Sequence, residues 1–367
     1  MNILYITNHL NTGGITSYVL RLACALKDKG HNIHVASSGG ELLANFLEKG
    51  IDYIRIPIRT KCEISPKIIF SLLKLLPLLK SRNIELIHCN SRTTQVLGCL
   101  LNRYSGVAYI STCHGFFKKR LSRRIFPCWG KRIIAISEEV RGHLLEDFNV
   151  EETKIRVVNH GVDMGAFKPL AQEQLRQVNN KFGLGNWPVV GNIGRLSDVK
   201  GQEYLVRAMK KVLSKVPQAQ LLIIGEGRMK EGLLRLVKDL RIGGNVYFVP
   251  AAKDMNEALS SMDIFVMPSV KEGLGLALME AMAAGRAVIA SGVGGIKTLI
   301  KDGFNGLLVP PKDADGLAAA ILRLLGNHEE ARRLGENARD FIEKNFPLTR
   351  MVSETERVYL ECVGSKG

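Results

Sequence analysis

The sequence holds no cysteine pair at the spacing of a metal or redox site. Its seven cysteines, Cys24, Cys62, Cys89, Cys99, Cys113, Cys128 and Cys362, are scattered and odd in number. That pattern argues against both zinc and a disulfide framework. A reducing cytoplasm is the expected setting. Apolar runs long enough to span a bilayer are also missing. The first residues, MNILYIT, have no basic region before their apolar stretch. They read as the first strand of a fold and not as a secretory signal. The chain shows no short internal repeat, no low-complexity tract and no Ser/His/Asp or Cys/His arrangement of a nucleophilic enzyme. Neither GxGxxG nor a P-loop lysine follows the first strand, which weighs against dinucleotide and ATP sites.

Acids are scarce relative to bases. The chain sets 35 Asp and Glu against 51 Lys and Arg, a net charge of +16. Up to residue 170 there are 24 basic and 13 acidic residues, and beyond it 27 and 22. A basic first half implies an anionic partner: phosphate, an acidic membrane surface or nucleic acid. General solubility is the plainer account of such charge. With 367 residues, the chain has room for two domains, each with its own core.

In the first half, short β-rich runs alternate with helical patterns. Strands are expected at 3–7, 33–37, 53–56, 86–89, 108–112 and 133–137. A helix over 17–29 ends at Gly30, and Ser65-Pro66 is a helix start with the cap followed by proline. The segment Asn159-His160-Gly161-Val162-Asp163 punctuates the chain. After a polar stretch, a second alternating series has strands at 189–193, 220–224, 246–249, 264–267, 287–290 and 307–309. Strand and helix in alternation predict two successive doubly wound α/β domains with parallel sheets. The amphipathic stretch 350–362 is expected to cross back to the first domain. Ligands of open parallel sheets bind beyond the carboxyl ends of the strands, so the loops there carry the functional signals.

The densest signal is residues 271–291, KEGLGLALMEAMAAGRAVIAS. Glu272 and Glu280 flank a glycine-punctuated turn that runs into a helix. A helix N-terminus offers free N–H groups to anions, and Gly273 and Gly275 let a phosphate or sugar approach the backbone. The two acids are the wrong charge for a phosphate but accept hydrogen bonds from sugar hydroxyls. The combination suggests a nucleotide-sugar site. Arg195 and Lys200 follow the first strand of the second domain. They are able to clamp a diphosphate and stabilise it as a leaving group. Alone they would read as solvated surface charges.

Weaker signals lie in the first domain. Gly13-Gly14 stands between the first strand and the first helix, where a phosphate-binding turn or a plain tight turn would sit. His114, in STCHGFF, follows a strand and is placed to hydrogen-bond a ligand or shuttle a proton. Of the other histidines, His9 and His88 lie near strand ends, and His160 has no comparable context. From residue 118 the chain reads KKRLSRRIFPCWGKR. Lys118, Lys119, Arg120, Arg123 and Arg124 interleave there with aromatics, which suits an anionic membrane, a phosphorylated acceptor or single-stranded nucleic acid. The run IIFSLLKLLPLLKSR at 68–82 reads as a second interfacial candidate or as a core helix. Asp313-Ala314-Asp315 looks like a metal-binding DxD, yet it opens a helical pattern and is expected to be a cap. No metal is implied.

In order along the chain, GGITSYVLRLACAL, GRLSDVKG, LLIIGEG, EGLGLALMEAMAAG and NFPLTRMVSETERVYL resemble the retaining family 4 glycosyltransferases of GT-B fold over nearly the full length. Glu272 and Glu280 match that family's E-x7-E motif. The resemblance implies two Rossmann-like domains facing across a cleft. The acceptor-side domain would span 1–163, with a helix at 348–367 packing back on it, and the donor domain 164–347. It also implies a UDP- or GDP-linked sugar donor and no cofactor or metal. Glu272 would contact sugar hydroxyls, Glu280 the ribose, and Arg195 and Lys200 the diphosphate. Gly273, Leu274, Gly275 and Leu276 would meet the sugar and phosphate, His114 the donor sugar, and Gly13 and Gly14 the phosphates. Retention by front-side attack would follow, resting on positioning and on stabilisation of the leaving group. Two segments depart from the pattern. GGIKTLI lacks the usual Pro-Glu pair, and VYFVPAA has proline and alanine where glycine is common, which leaves the base open.

The expected protein is a cytoplasmic glycosyltransferase, peripheral on the inner face of an anionic membrane. It would add a sugar to a glycan or glycolipid acceptor of the cell envelope, with no nucleic acid as partner. Two rivals stand beside it: a nucleotide-sugar 2-epimerase of GT-B fold and a non-catalytic nucleic-acid binder.

Overall fold

The computed structural model describes residues 1–119, 121–250, 252 and 254–364, with Arg124 described for its backbone alone. The chain divides into two compact units, Met1–Gly161 joined by the chain from Thr349, and Val162–Leu348.

The first unit is built on a seven-stranded parallel sheet. Its strands are β1 (Asn2–Ile6), β2 (Asn32–Ser37), β3 (Asp52–Arg55), β4 (Leu86–Cys89), β5 (Ala108–Cys113), β6 (Arg132–Ala135) and β7 (Ile155–Val157). Their order is β3-β2-β1-β4-β5-β6-β7. Ile3, Leu4, Tyr5 and Ile6 are all buried, as strands covered on both faces require. Local chemistry starts and stops the helices. Ser65 accepts from the Lys67 N–H ahead of the helix Pro66–Ser81, and Ser91 and Thr94 form a capping box on Arg92–Ser105. The strand β7 was not expected from the sequence. It has three residues, follows a charged stretch and pairs with β6 at the sheet edge.

The C-terminal helix Leu348–Val363 belongs to this unit through Tyr359 and two acids. The Tyr359 hydroxyl bonds Tyr5 at 2.6 Å and the His88 ring at 2.7 Å. Glu361 accepts from Arg132 and Arg156, and Glu356 pairs with Lys29 and His31.

The second unit carries a six-stranded parallel sheet, β10-β9-β8-β11-β12-β13. The strands are β8 (Val189–Ile193), β9 (Gln220–Ile224), β10 (Val246–Val249), β11 (Ile264–Met267), β12 (Ala287–Ser291) and β13 (Leu307–Val309). Leu221, Ile223, Val266 and Ile289 of this sheet share a core with Leu205, Met209 and Val212 of the helix Gln202–Leu213. In both sheets the first strand has its neighbours on opposite sides, so each has a switch point beside it where a crevice opens.

Candidate active site

In the second unit the loops after β8 and β11 are joined. The turn Asp198–Lys200 follows β8, and its Val199 carbonyl accepts from the N–H groups of Val270 and Lys271, at 2.9 and 3.3 Å. That link brings Lys200 and Glu272 into a direct ion pair, with the Lys200 ammonium on Oε2 of the carboxylate. Ser269 donates to the same oxygen at 3.4 Å, and the Gly273 N–H to Oε1 at 3.3 Å. Both ion-pair partners keep some solvent access, 24% for Lys200 and 15% for Glu272. An ammonium has three donors, so Lys200 has capacity left for a ligand oxygen while it holds Glu272.

The helix Leu276–Ala283 starts at Gly275, whose φ of 93° lies in the left-handed region. The turn therefore needs a glycine there. Leu274 is buried, Leu276 is half-buried, and Glu280 on the same helix is buried. Behind the loop, Gly295 packs its backbone on Gly273, and a Cβ at Gly295 would run into the Gly273 carbonyl. Arg195 is exposed beyond β8, and its carbonyl accepts from Gln202 Nε2 at 3.2 Å. Sequence reasoning singled out these charges but missed the polar groups around them. Asn192 Oδ1, Ser197 Oγ and Gln202 Oε1 are buried without a hydrogen-bond partner among the described residues. Arg228, after β9, forms an ion pair with Asp198. The LLIIGEG stretch pointed at that loop, but nothing in it marked Arg228.

Asp313 is a helix cap, since its Oδ1 accepts from the Gly316 N–H at 2.8 Å. Among the described residues no group of acids, histidines and cysteines is placed to hold a metal. In the VYFVPAA stretch, Ala251 lies outside the described residues.

In the first unit, Gly13 caps the helix Gly14–Asp28, and nothing stands within 4 Å of where its Cβ would be. Thr12 beside it is tied to Glu41 through its hydroxyl at 2.8 Å. His114 is not an isolated histidine. Its Nε2 lies 3.1 Å from Asn90 Oδ1, its ring stacks on His160 at 5.8 Å, and Tyr18 meets both rings edge-on. His88 lies deeper, between Tyr359 and the Thr112 hydroxyl. His88 and His160, set aside from the sequence, thus belong to the same cluster. Burial holds all three rings neutral. His114 is pushed well below 6.5, His160 to about 4 and His88 to about 3.

The basic stretch separates into different environments. Lys118 and Lys119 are exposed, and Lys119 pairs with Asp147 at 2.6 Å. Arg123 is only 5% exposed, with its guanidinium 3.9 Å over the Phe117 ring. It lines the interior instead of an outer face. Arg120 and the side chain of Arg124 lie outside the described residues.

These features have counterparts in known proteins. Residues 12–165 match the family model Glycosyltransferase Family 4, and residues 173–341 match Glycosyl transferases group 1. A Methanocaldococcus jannaschii protein called an uncharacterized glycosyltransferase is 27% identical over 95% of this chain and 94% of its own. An Escherichia coli UDP-Gal:alpha-D-GlcNAc-diphosphoundecaprenol alpha-1,3-galactosyltransferase is 26% identical over 88% of this chain and 87% of its own. Anabaena HepE, solved in complex with UDP and glucose, superposes with a TM-score of 0.86 at 19% identity, covering 97% of this chain and 98% of that one. That likeness shows a shared GT-B fold of two Rossmann-like domains.

Proposed function

The chain belongs to the family 4 glycosyltransferases, and from that premise we propose that it moves a sugar, with retention, from a UDP-sugar to a lipid-linked diphosphate glycan. The observation that carries the donor half is the Lys200–Glu272 pair at the joined loops after β8 and β11. It sets a cation for the diphosphate beside a carboxylate for sugar hydroxyls. The second unit is then the donor domain. Arg195 and Lys200 neutralise the diphosphate, and Gly273 to Leu276 present backbone to the sugar and phosphate. Glu280 takes the ribose. The E. coli relative uses UDP-galactose and a diphosphoundecaprenol acceptor, which supports the uridine donor and the lipid carrier.

Transfer breaks the bond between the anomeric carbon and the donor phosphate oxygen and forms one to the acceptor oxygen. The acceptor proton leaves onto the diphosphate. Charge grows on that diphosphate as the bond breaks, and the cations of Lys200, already held by Glu272, and Arg195 stabilise it. Two cations in this place supply the charge a divalent metal would, and Asp313 is committed to its cap, so we assign a metal-independent reaction. His114, held neutral, offers a hydrogen bond and carries no charge. We propose in addition that the exposed Lys118 end of the basic, aromatic-rich stretch meets an anionic membrane face.

The test is a turnover assay with UDP-sugars and a GlcNAc-diphosphoprenol in anionic or neutral vesicles, with EDTA present and the product anomer read by NMR. The expected result is an axial-to-axial (retained) linkage, faster on anionic vesicles. UDP-sugar consumption without acceptor would point to an epimerase. An inverted product, or a strict demand for Mg²⁺, would overturn the mechanism.

A further inference from the structure

A cavity lies wholly within the first unit, and its lining does not include the histidine cluster. It has a volume of about 310 Å³ and is lined by residues that follow four strands, among them Asn8 after β1, Lys61 and Glu63 after β3, Arg92 after β4 and Lys118 after β5. Strands β1 and β4 are neighbours, and the chain leaves them in opposite directions across the sheet. The cavity therefore sits at this sheet's switch point, beyond the carboxyl ends of its strands.

Its charge is mostly positive, and partly desolvated at Arg92 and Arg123. Lys61, Arg92, Lys118 and Arg123 line it against one acid, Glu63. The surrounding sequence repeats that bias, since residues 64–137 contain 13 Lys and Arg and the single acid Glu85. Two of the cations, Arg92 and Arg123, are built in. Arg92 is 12% exposed and donates to Glu63 at 2.7 Å and to the carbonyls of Phe126 and Pro127 at 2.6 Å each. Its Nε is buried without a partner among the described residues. The Arg92 hydrogen bond holds Glu63 below the usual carboxylate range, so the acid stays ionised. It still offsets only part of the local positive charge.

The rim has the opposite character. Ile64 is 91% exposed, Leu121 70%, Ile125 74% and Phe126 45%. The two rim segments are tied to each other across the cavity wall, because Ser122 donates to Glu63 at 3.3 Å and Arg92 holds the Phe126 carbonyl. Large apolar side chains exposed to water on segments tied together in this way mark a contact surface. A cationic pocket with an apolar lip fits a molecule that is anionic at one end and hydrocarbon at the other.

We propose that this pocket holds the phosphate or diphosphate group of an amphiphile whose tail lies over Ile64, Leu121 and Ile125. The proposal deepens the glycosyltransferase reading, in which that amphiphile is the acceptor. A soluble sugar phosphate would fill the pocket and leave the lip bare. A membrane alone would cover the lip and leave the pocket unused.

The test is calorimetric titration of the full chain with farnesyl diphosphate, inorganic pyrophosphate and, separately, UDP. Farnesyl diphosphate should bind at least tenfold more tightly than pyrophosphate. Lys61→Ala with Lys118→Ala, both at exposed positions, should weaken both probes at least fivefold. Ile64→Ser with Ile125→Ser should lower farnesyl diphosphate to the level of pyrophosphate and leave pyrophosphate unchanged. Equal affinity for the two probes, or indifference of both to both double variants, would overturn the proposal. UDP binding retained in every variant would then confine the failure to the pocket, whereas its absence from the wild type would sink the donor reading instead.

Discussion

Single residues carry the chemistry here through their surroundings. Glu272 and Lys200 are 72 positions apart in the chain, and the sequence gives each a separate task. The structure makes them partners, and the loop-to-loop bond at Val199 that does so has no sequence signal because it uses backbone atoms. The histidines teach the same point. His88 and Tyr359 are 271 positions apart, so no local pattern reveals that the C-terminal helix supplies the partner for a buried ring. Their burial has a pH consequence. His160 titrates at about 4 and His88 at about 3 in the folded chain, against roughly 6.5 when unfolded. Between these values the unfolded state binds more protons, so stability is full above pH 6.5 and falls as the pH drops toward 4. Thermal melts from pH 7.5 to 4 should show the decline, and His160→Asn should flatten it. An unchanged slope in that variant would mean that its ring is accessible to protons in the fold.

Elements were legible where they are buried on both faces. The strands expected at 86–89, 189–193, 220–224 and 264–267 have those bounds in the structure, and nearly all of their residues are buried, as central parallel strands require. The edge strand β7 escaped notice because three residues at a sheet margin need no such run. Caps were equally readable at Ser65 and Asp313, where side-chain oxygens take the first helical N–H groups. What the sequence could not show is how tightly one loop lies on another. GGIKTLI stood out in the sequence only for its missing Pro-Glu pair, whereas its second glycine, Gly295, is the contact that lets Gly273 sit where it does. Gly295→Ala should therefore push the Gly273 loop outward and weaken UDP-sugar binding by about tenfold or more. The cost to the fold should be modest, about 1–3 kcal/mol, typical of overpacking. Wild-type affinity in this variant, measured by calorimetry with a parallel melt, would show that the loop tolerates displacement.

At the scale of the whole molecule, the proposed donor site belongs to one parallel-sheet unit and the proposed acceptor pocket to the other. The proposed donor site was legible as two separate stretches, the cations of 195–200 and the acids and glycines of 272–280, each compact in the chain although the two lie far apart in it. The cationic pocket of the first unit was visible only as a basic, aromatic stretch, and folding sorts that stretch into a buried Arg123, an exposed Lys118 and an apolar lip. The claim on which the rest depends is that the second unit holds a nucleotide-sugar without a metal, through Lys200 and Glu272. Its most direct test is calorimetry of UDP-sugars in EDTA on wild type and Lys200→Ala. The account predicts one-site binding in the wild type, unchanged by added Mg²⁺, and a loss of about 1.5–3 kcal/mol in the variant, the worth of a charge-assisted hydrogen bond. Binding that appears only with Mg²⁺, or that is equally strong in Lys200→Ala, would contradict it.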